Sequence, residues 1–159
     1  MRILLLSDSH GYLEELYWTV EQTWKQTGPI DAYIHCGDGA RDLDRISFAV
    51  RERDPSAVFY SVRGNCDFSP EYPDKLILPF GGISFLITHG HFYHVKSTLA
   101  LLERQAADSG CRVALFGHTH SPLWDMKKVM LINPGAAMNG KAALIETDNG
   151  RVNGRLLEF

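Results

Sequence analysis

The 159-residue chain is expected to be an α/β protein with a mixed two-sheet core flanked by helices. Three observations carry that expectation. Short apolar runs alternate with amphipathic segments through the first 62 residues, the pattern of a largely parallel sheet. In the second half, Gly81-Gly82 and Asp148-Asn149-Gly150 mark tight hairpins between apolar runs. Most of the remaining runs end in glycine beside an Asp, Asn or His.

Residues 2–7 read as a buried strand leading into Ser7-Asp8-Ser9-His10-Gly11. Leu13, Leu16, Tyr17, Val20 and Trp24 recur at helical spacing, and Gly28-Pro29 stops that helix. The strand Ala32–Cys36 runs into Gly37-Asp38-Gly39. Leu43, Ile46 and Val50 then suggest a helix ended before Pro55. A third strand, Ala57–Val62, runs into Gly64-Asn65-Cys66-Asp67. Leu76–Phe80 and Ile83–Thr88 flank the glycine pair, and the latter ends at His89-Gly90-His91. A helix is predicted around Val95 to Ala107. The strand Val113–Phe116 follows and ends in Gly117-His118-Thr119-His120. Further strands are expected at 123–126, 129–132, 142–146 and 152–158.

The length suits one domain over 1–159. Hydrophobic residues make up 45% and charged residues 22%, with a net charge of -3 and no long basic run, which argues against a broad nucleic-acid surface. The apolar stretch after Arg2 is too short for a signal-peptide core, and no run reaches membrane-spanning length, so a cytoplasmic protein is expected. Three cysteines without paired spacing, Cys36, Cys66 and Cys111, fit a reducing compartment.

The polar residues at the strand ends are Asp8, His10, Asp38, Asn65, His89, His118 and His120. In α/β sheets, ligands gather outside the carboxyl ends of strands. Carboxylates mixed with imidazoles suit Mn, Fe, Co, Ni or Zn rather than a thiolate cluster. Seven such donors exceed the needs of one ion. Two ions about 3.5–4 Å apart, sharing a carboxylate, would use them naturally. Two aspartates offset only half of four positive charges, which favours an anionic substrate such as a phosphate ester.

Together, DSH, GDG, GNCD, THGH and GHTH closely resemble the signature set of calcineurin-like metallophosphoesterases, over roughly residues 7–120. Asn133-Pro134-Gly135 resembles a further motif. The short length and the GNCD form look most like the YfcE-like phosphodiesterase branch. The resemblance implies a two-sheet sandwich with flanking helices (αββα) and a dinuclear metal centre, with manganese the first expectation. One ion would take Asp8, His10 and His120, the other Asn65, His89 and His118, and Asp38 would bridge them. It implies a hydrolase in which a metal-bound hydroxide attacks phosphorus in a small phosphate ester. Asn65 could bind metal through its carbonyl and turn its amide N–H groups to phosphate.

Many members of the wider superfamily carry histidine where this chain has Cys66, near the leaving group. A thiol is the weaker donor and acid, so diesters, or esters with good leaving groups, are expected over alkyl monoesters. His91 is a candidate substrate contact by resemblance. The alternatives are a phosphomonoesterase, a nuclease, or a protein-binding scaffold of this fold such as the retromer complex contains.

Each residue also has a structural reading. Asp8 could cap the next helix, and Asp38 could hold its own turn. Asp67 could tie down its loop through Arg63 or orient the site. His35 is expected as a hydrogen-bonded packed residue rather than a ligand, and His94 at a helix start. Arg41 and Arg45 are either solvated or within reach of phosphate. Cys36 and Cys111 read as buried. Trp18, Trp24, Phe59 and Phe85 suit core or interface, and Phe92, Tyr93 and Tyr72 suit contact between copies of the chain.

Overall fold

The computed structural model describes residues 1–159. Strands β1 (Arg2–Leu6), β2 (Ala32–His35) and β3 (Val58–Ser61) alternate with helices α1 (Leu13–Thr27) and α2 (Ala40–Arg51). Then come β4 (Lys75–Phe80), β5 (Ile83–Thr88), helix α3 (Ala100–Asp108), β6 (Val113–Leu115), β7 (Leu123–Met126) and β8 (Met130–Asn133). The final hairpin is β9 (Lys141–Asp148) and β10 (Arg151–Glu158).

The strands form two five-stranded mixed sheets, ordered β10-β9-β1-β2-β3 and β4-β5-β6-β8-β7. In the first, β1, β2 and β3 run parallel, with the β9–β10 hairpin antiparallel at one side. In the second, β5, β6 and β8 run parallel between antiparallel β4 and β7. Both expected hairpins close with paired left-handed residues, Gly81 (φ 57°) with Gly82 (φ 81°) and Asn149 (φ 46°) with Gly150 (φ 78°). Such turns match the twist of the strands they join.

The unbroken apolar run of β1 is explained by burial on both faces. Ile3 and Leu5 meet Phe85, Ile87 and Leu115 of the other sheet, while Leu4 and Leu6 pack with Leu16, Val20 and Leu43 from α1 and α2. On the far side, α3 brings Leu102 and Ala106 against Leu86, Ala114 and Leu131. Asp54, only 4% exposed, ties the first layer together. It accepts hydrogen bonds from the Tyr33 hydroxyl at 2.6 Å, the Trp24 indole at 3.2 Å and the Ile30 amide at 3.3 Å.

One boundary departs from expectation. Helix α3 begins at Ala100, not near Val95. His94 is left-handed (φ 52°), ending a short 3₁₀ turn over His91–Tyr93. It is therefore not at a helix start. Val95 and Leu99 continue the apolar spacing because they fill the same core cluster as Leu102, which sequence periodicity cannot tell from a helix. Cys36, Cys111 and Phe85 are buried. Phe59 stacks on Tyr33, whereas Trp18 is 46% exposed and meets Phe159 edge-on. No helix is long and apolar enough to cross a membrane.

Candidate metal centre

Both sets of parallel strands point their carboxyl ends to one place. Asp8 and His10 follow β1, Asp38 follows β2, Asn65 follows β3, His89 follows β5, and His118 and His120 follow β6. All seven candidates meet there in two adjoining groups.

In the first group, the Asp8, His10 and His120 donor atoms lie within 4.8 Å of one another. His120 Nε2 is 3.2 Å and His10 Nε2 4.0 Å from Asp8 Oδ1, and the two ring nitrogens are 3.4 Å apart. The other Asp8 oxygen accepts from the Ser7 hydroxyl at 2.6 Å and the His118 amide at 3.1 Å. Oδ1 is fully buried yet has no hydrogen-bond partner. A buried carboxylate oxygen is costly to leave unpaired. A cation between it and the two imidazoles would satisfy it, so these residues fit a metal ion. Burial raises the Asp8 pKa, only partly offset by His89, the Ser7 hydroxyl and His120.

In the second group, Asp38, His89 and His118 are similarly close. His89 Nδ1–H donates to the Cys36 carbonyl at 2.7 Å, which fixes the ring. Its Nε2 faces Asp38 Oδ2 at 3.4 Å and Asn65 Oδ1 at 3.1 Å. Two oxygens and one ring nitrogen so arranged call for a positive species among them, either a proton or a metal ion. Burial opposes charge on both His89 and Asp38, but they hold each other ionised. The Asp38 carboxyl is driven far below its ordinary value and the imidazole above its own. Burial and the neighbouring His89 instead lower His118 to about 4, leaving it neutral.

Asp38 stands between the groups, its Oδ2 also 3.9 Å from His10 Nε2. Cys66 donates its amide to Asp38 Oδ1 at 2.7 Å, and its sulfur lies within 4.8 Å of the donor atoms of His10 and Asp38. Burial, then Asp38, pushes the Cys66 thiol above its ordinary 9.0. The Asn65 amide nitrogen donates to that sulfur at 3.3 Å. His91 stands beside His89, ring centroids 5.3 Å apart, and its Nδ1 is buried without a partner.

The backbone carries a second mark. Seven non-glycine residues have positive φ, and five of them are candidate ligands: Asp8 (55°), His10 (48°), Asp38 (54°), His118 (68°) and His120 (56°). Left-handed geometry costs an ordinary residue about 1–2 kcal/mol and gathers at functional sites.

The family description "Calcineurin-like phosphoesterase superfamily domain" matches residues 1–150. The chain belongs to that superfamily. The Bacillus subtilis protein described as probable metallophosphoesterase YsnB is 35% identical over 138 residues, covering 86% of this chain and 75% of that one. Two solved structures share the fold at lower identity. An archaeal phosphodiesterase superposes with a TM-score of 0.75 at 21% identity, covering 99% of this chain and 100% of that one. Vps29 of Entamoeba histolytica, complexed with zinc, gives 0.73 at 17%, covering 99% of each.

In this phosphoesterase domain the loops hold one another. Asp67 accepts from four backbone amides: Asp38 and Gly64 at 2.8 Å, Gly39 at 2.9 Å and Ala40 at 3.2 Å. It thereby caps α2 from another loop, and Arg63 pairs with Asp74 at 2.6 Å instead. Asp38 does not hold its own turn, and Asp8 caps no helix: α1 begins after Tyr12 without a side-chain cap. Gly64 and Gly117 are needed for close approach. A Cβ on the first would overlap Asp38, and on the second Ser7. Asn133 donates to the Gly117 carbonyl at 2.9 Å and to Thr119 Oγ1 at 3.0 Å, anchoring the Gly117–His120 loop.

A relay missed by sequence reading involves His35. Its Nδ1 accepts from the Gly37 amide at 3.2 Å, so Nε2–H donates to Ser9 Oγ at 3.1 Å. Ser9 in turn donates to Asp42 Oδ2 at 2.7 Å, which also accepts from the Gly11 amide at 2.8 Å. His35 and Asp42 are polar on an apolar strand and helix face, the signal that could have revealed them. Burial lowers the His35 pKa from 6.5 to about 4, against Asp67 and Asp42, which raise it. Between those values the unfolded chain binds the proton and the folded one does not, so stability falls as pH drops through that window. Denaturant unfolding of chelator-treated protein should show wild type losing roughly 2 kcal/mol more than His35→Gln between pH 7 and 4.5. Equal losses would assign the pH dependence elsewhere.

Proposed function

We propose that the chain is a metal-dependent phosphodiesterase whose centre takes two divalent ions. The observation that carries this reading is Asp38 Oδ2, within 3.9 Å of His10 Nε2 and 3.4 Å of His89 Nε2, between two ligand groups. Asp8, His10 and His120 would hold one ion, and Asn65, His89 and His118 the other, with Asp38 common to both. Bound ions would supply activation of a water and neutralisation of charge on the phosphoryl oxygens. Oxygen and imidazole donors suit Mn first, with Fe, Co, Ni and Zn as alternatives.

The chain's own groups favour diesters. Cys66 is exposed at the open side of the centre, where a thiol is a poorer hydrogen-bond donor to a departing alkoxide than an imidazolium would be. The Asn65 amide and His91 border the second ligand group and would orient phosphoryl oxygens. The protein-binding reading has one observation in its favour, the shared fold with Vps29.

The test uses chelator-stripped protein, with bis-nitrophenyl phosphate and an alkyl phosphate as substrates, before and after addition of Mn²⁺, counting bound metal. The expected result is about two ions per chain and diester turnover restored well above monoester turnover. Faster alkyl phosphate hydrolysis would overturn the diester reading. Two ions without turnover of either ester would move the scaffold reading ahead.

A further inference from the structure

Arg41 borders two separate concavities. One, of about 280 Å³, opens on the candidate centre beside His10, Asp38 and Cys66. The other, of about 410 Å³, is walled by Asp44, Arg45, Glu71 and Tyr72. Arg41 is exposed, in the first turn of α2, and no carboxylate lies within ion-pair distance of it, unlike its neighbour Arg45, which is 3.8 Å from Asp42.

The nearby carboxylates are already engaged. Asp67 holds four backbone amides, and Asp42 holds Ser9, Gly11 and Arg45. Asp44 accepts from the Tyr72 hydroxyl, which fixes that ring as a wall, and Glu71 accepts from Ser69 at 3.2 Å. The guanidinium thus has no direct ion-pair partner at the junction of the phosphoryl site and an adjoining groove, whose walls also carry the charges of Asp44, Arg45 and Glu71.

We infer that Arg41 binds a second anionic group of the substrate, so that preferred substrates are phosphoesters whose far arm carries another phosphate. This rests on the phosphodiesterase reading above. A phosphoryl group at the metal centre would project its second ester arm out of the first concavity, and Arg41 lines both that concavity and the second. The planar guanidinium recognises phosphate through paired hydrogen bonds, which an ammonium does less well. Because Arg41 is exposed, the gain is modest, roughly tenfold in kcat/KM, and is weakened by salt.

The test compares two nitrophenyl diesters with identical arms, one ending in phosphate and one in hydroxyl, on metal-loaded wild type, Arg41→Ala and Arg41→Lys. Calorimetric binding of the matching non-hydrolysable phosphonates is measured on the same proteins. Wild type should favour the phosphate-ended diester, chiefly through KM. The ratio should fall towards one in Arg41→Ala, with part retained in Arg41→Lys, and should shrink as salt rises. Equal use of both diesters by wild type, or an unchanged ratio in Arg41→Ala, overturns the assignment while leaving the hydrolytic reading intact. Absence of turnover on both diesters counts against the hydrolytic reading alone. Calorimetry then decides Arg41 by whether tighter binding of the phosphate-ended analogue disappears with the arginine.

Discussion

Asp38→Asn is expected to lower phosphodiester turnover by roughly a thousandfold while the protein stays folded. The reason is local. Asp38 Oδ1 accepts the Cys66 amide at 2.7 Å, and an asparagine carbonyl can still do so, which preserves the loop. Oδ2, facing His10 and His89, would be replaced by an amide NH₂, which repels a cation and cannot serve two. The substitution also removes one of the two aspartate charges that offset the metal ions. Turnover, metal content and denaturant unfolding on the same sample check this. Metal content should fall below wild type, with the unfolding midpoint of the metal-free protein little changed. Normal turnover would show that the ligand assignment is wrong.

Asp67→Ala should do the converse, damaging the centre without touching a metal ligand. Four amides from two loops lose their common acceptor. Partial access to water replaces some of that, so a loss of roughly 3 kcal/mol in stability is expected. Because Asp38 is carried on one of the released segments, metal affinity should drop about 10- to 100-fold, the usual scale for residues that orient ligands. Asp67→Asn keeps one carbonyl oxygen and should fall between the two. Denaturant unfolding without metal and a metal titration separate the two effects. Unchanged affinity in the alanine variant would mean that the Asp38 loop is held by its strand alone.

The contrast between those residues shows what was legible in the sequence. Asp38 stood out because it sits between glycines at the end of an apolar strand, and the five motifs are local in the chain. The alternation of strands and helices was equally local, and the two hairpin turns were visible in residues that tolerate positive φ. Asp67 was read as tying down its loop or orienting the site, but the partners through which it acts were not visible. Three of its four amide partners belong to a segment 27 to 29 positions away, and that pairing exists only because β2 and β3 are neighbours. The relay from His35 through Ser9 to Asp42 was hidden for the same reason: it joins the loop after β1 to β2 and α2. The start of α3 was misread because core contact and helical spacing gave the same apolar pattern.

The left-handed backbone at Asp8, His10, Asp38, His118 and His120 bears on how such a protein can change. Glycine would relax the chain at any of these positions, and each replacement would delete a donor atom. Selection for thermostability alone would therefore press on the centre, most freely at the histidines, since the Asp8 and Asp38 carboxylates also hold backbone amides of other loops. A descendant that had lost catalysis could gain robustness by the same steps, keeping the sandwich as a platform for other work.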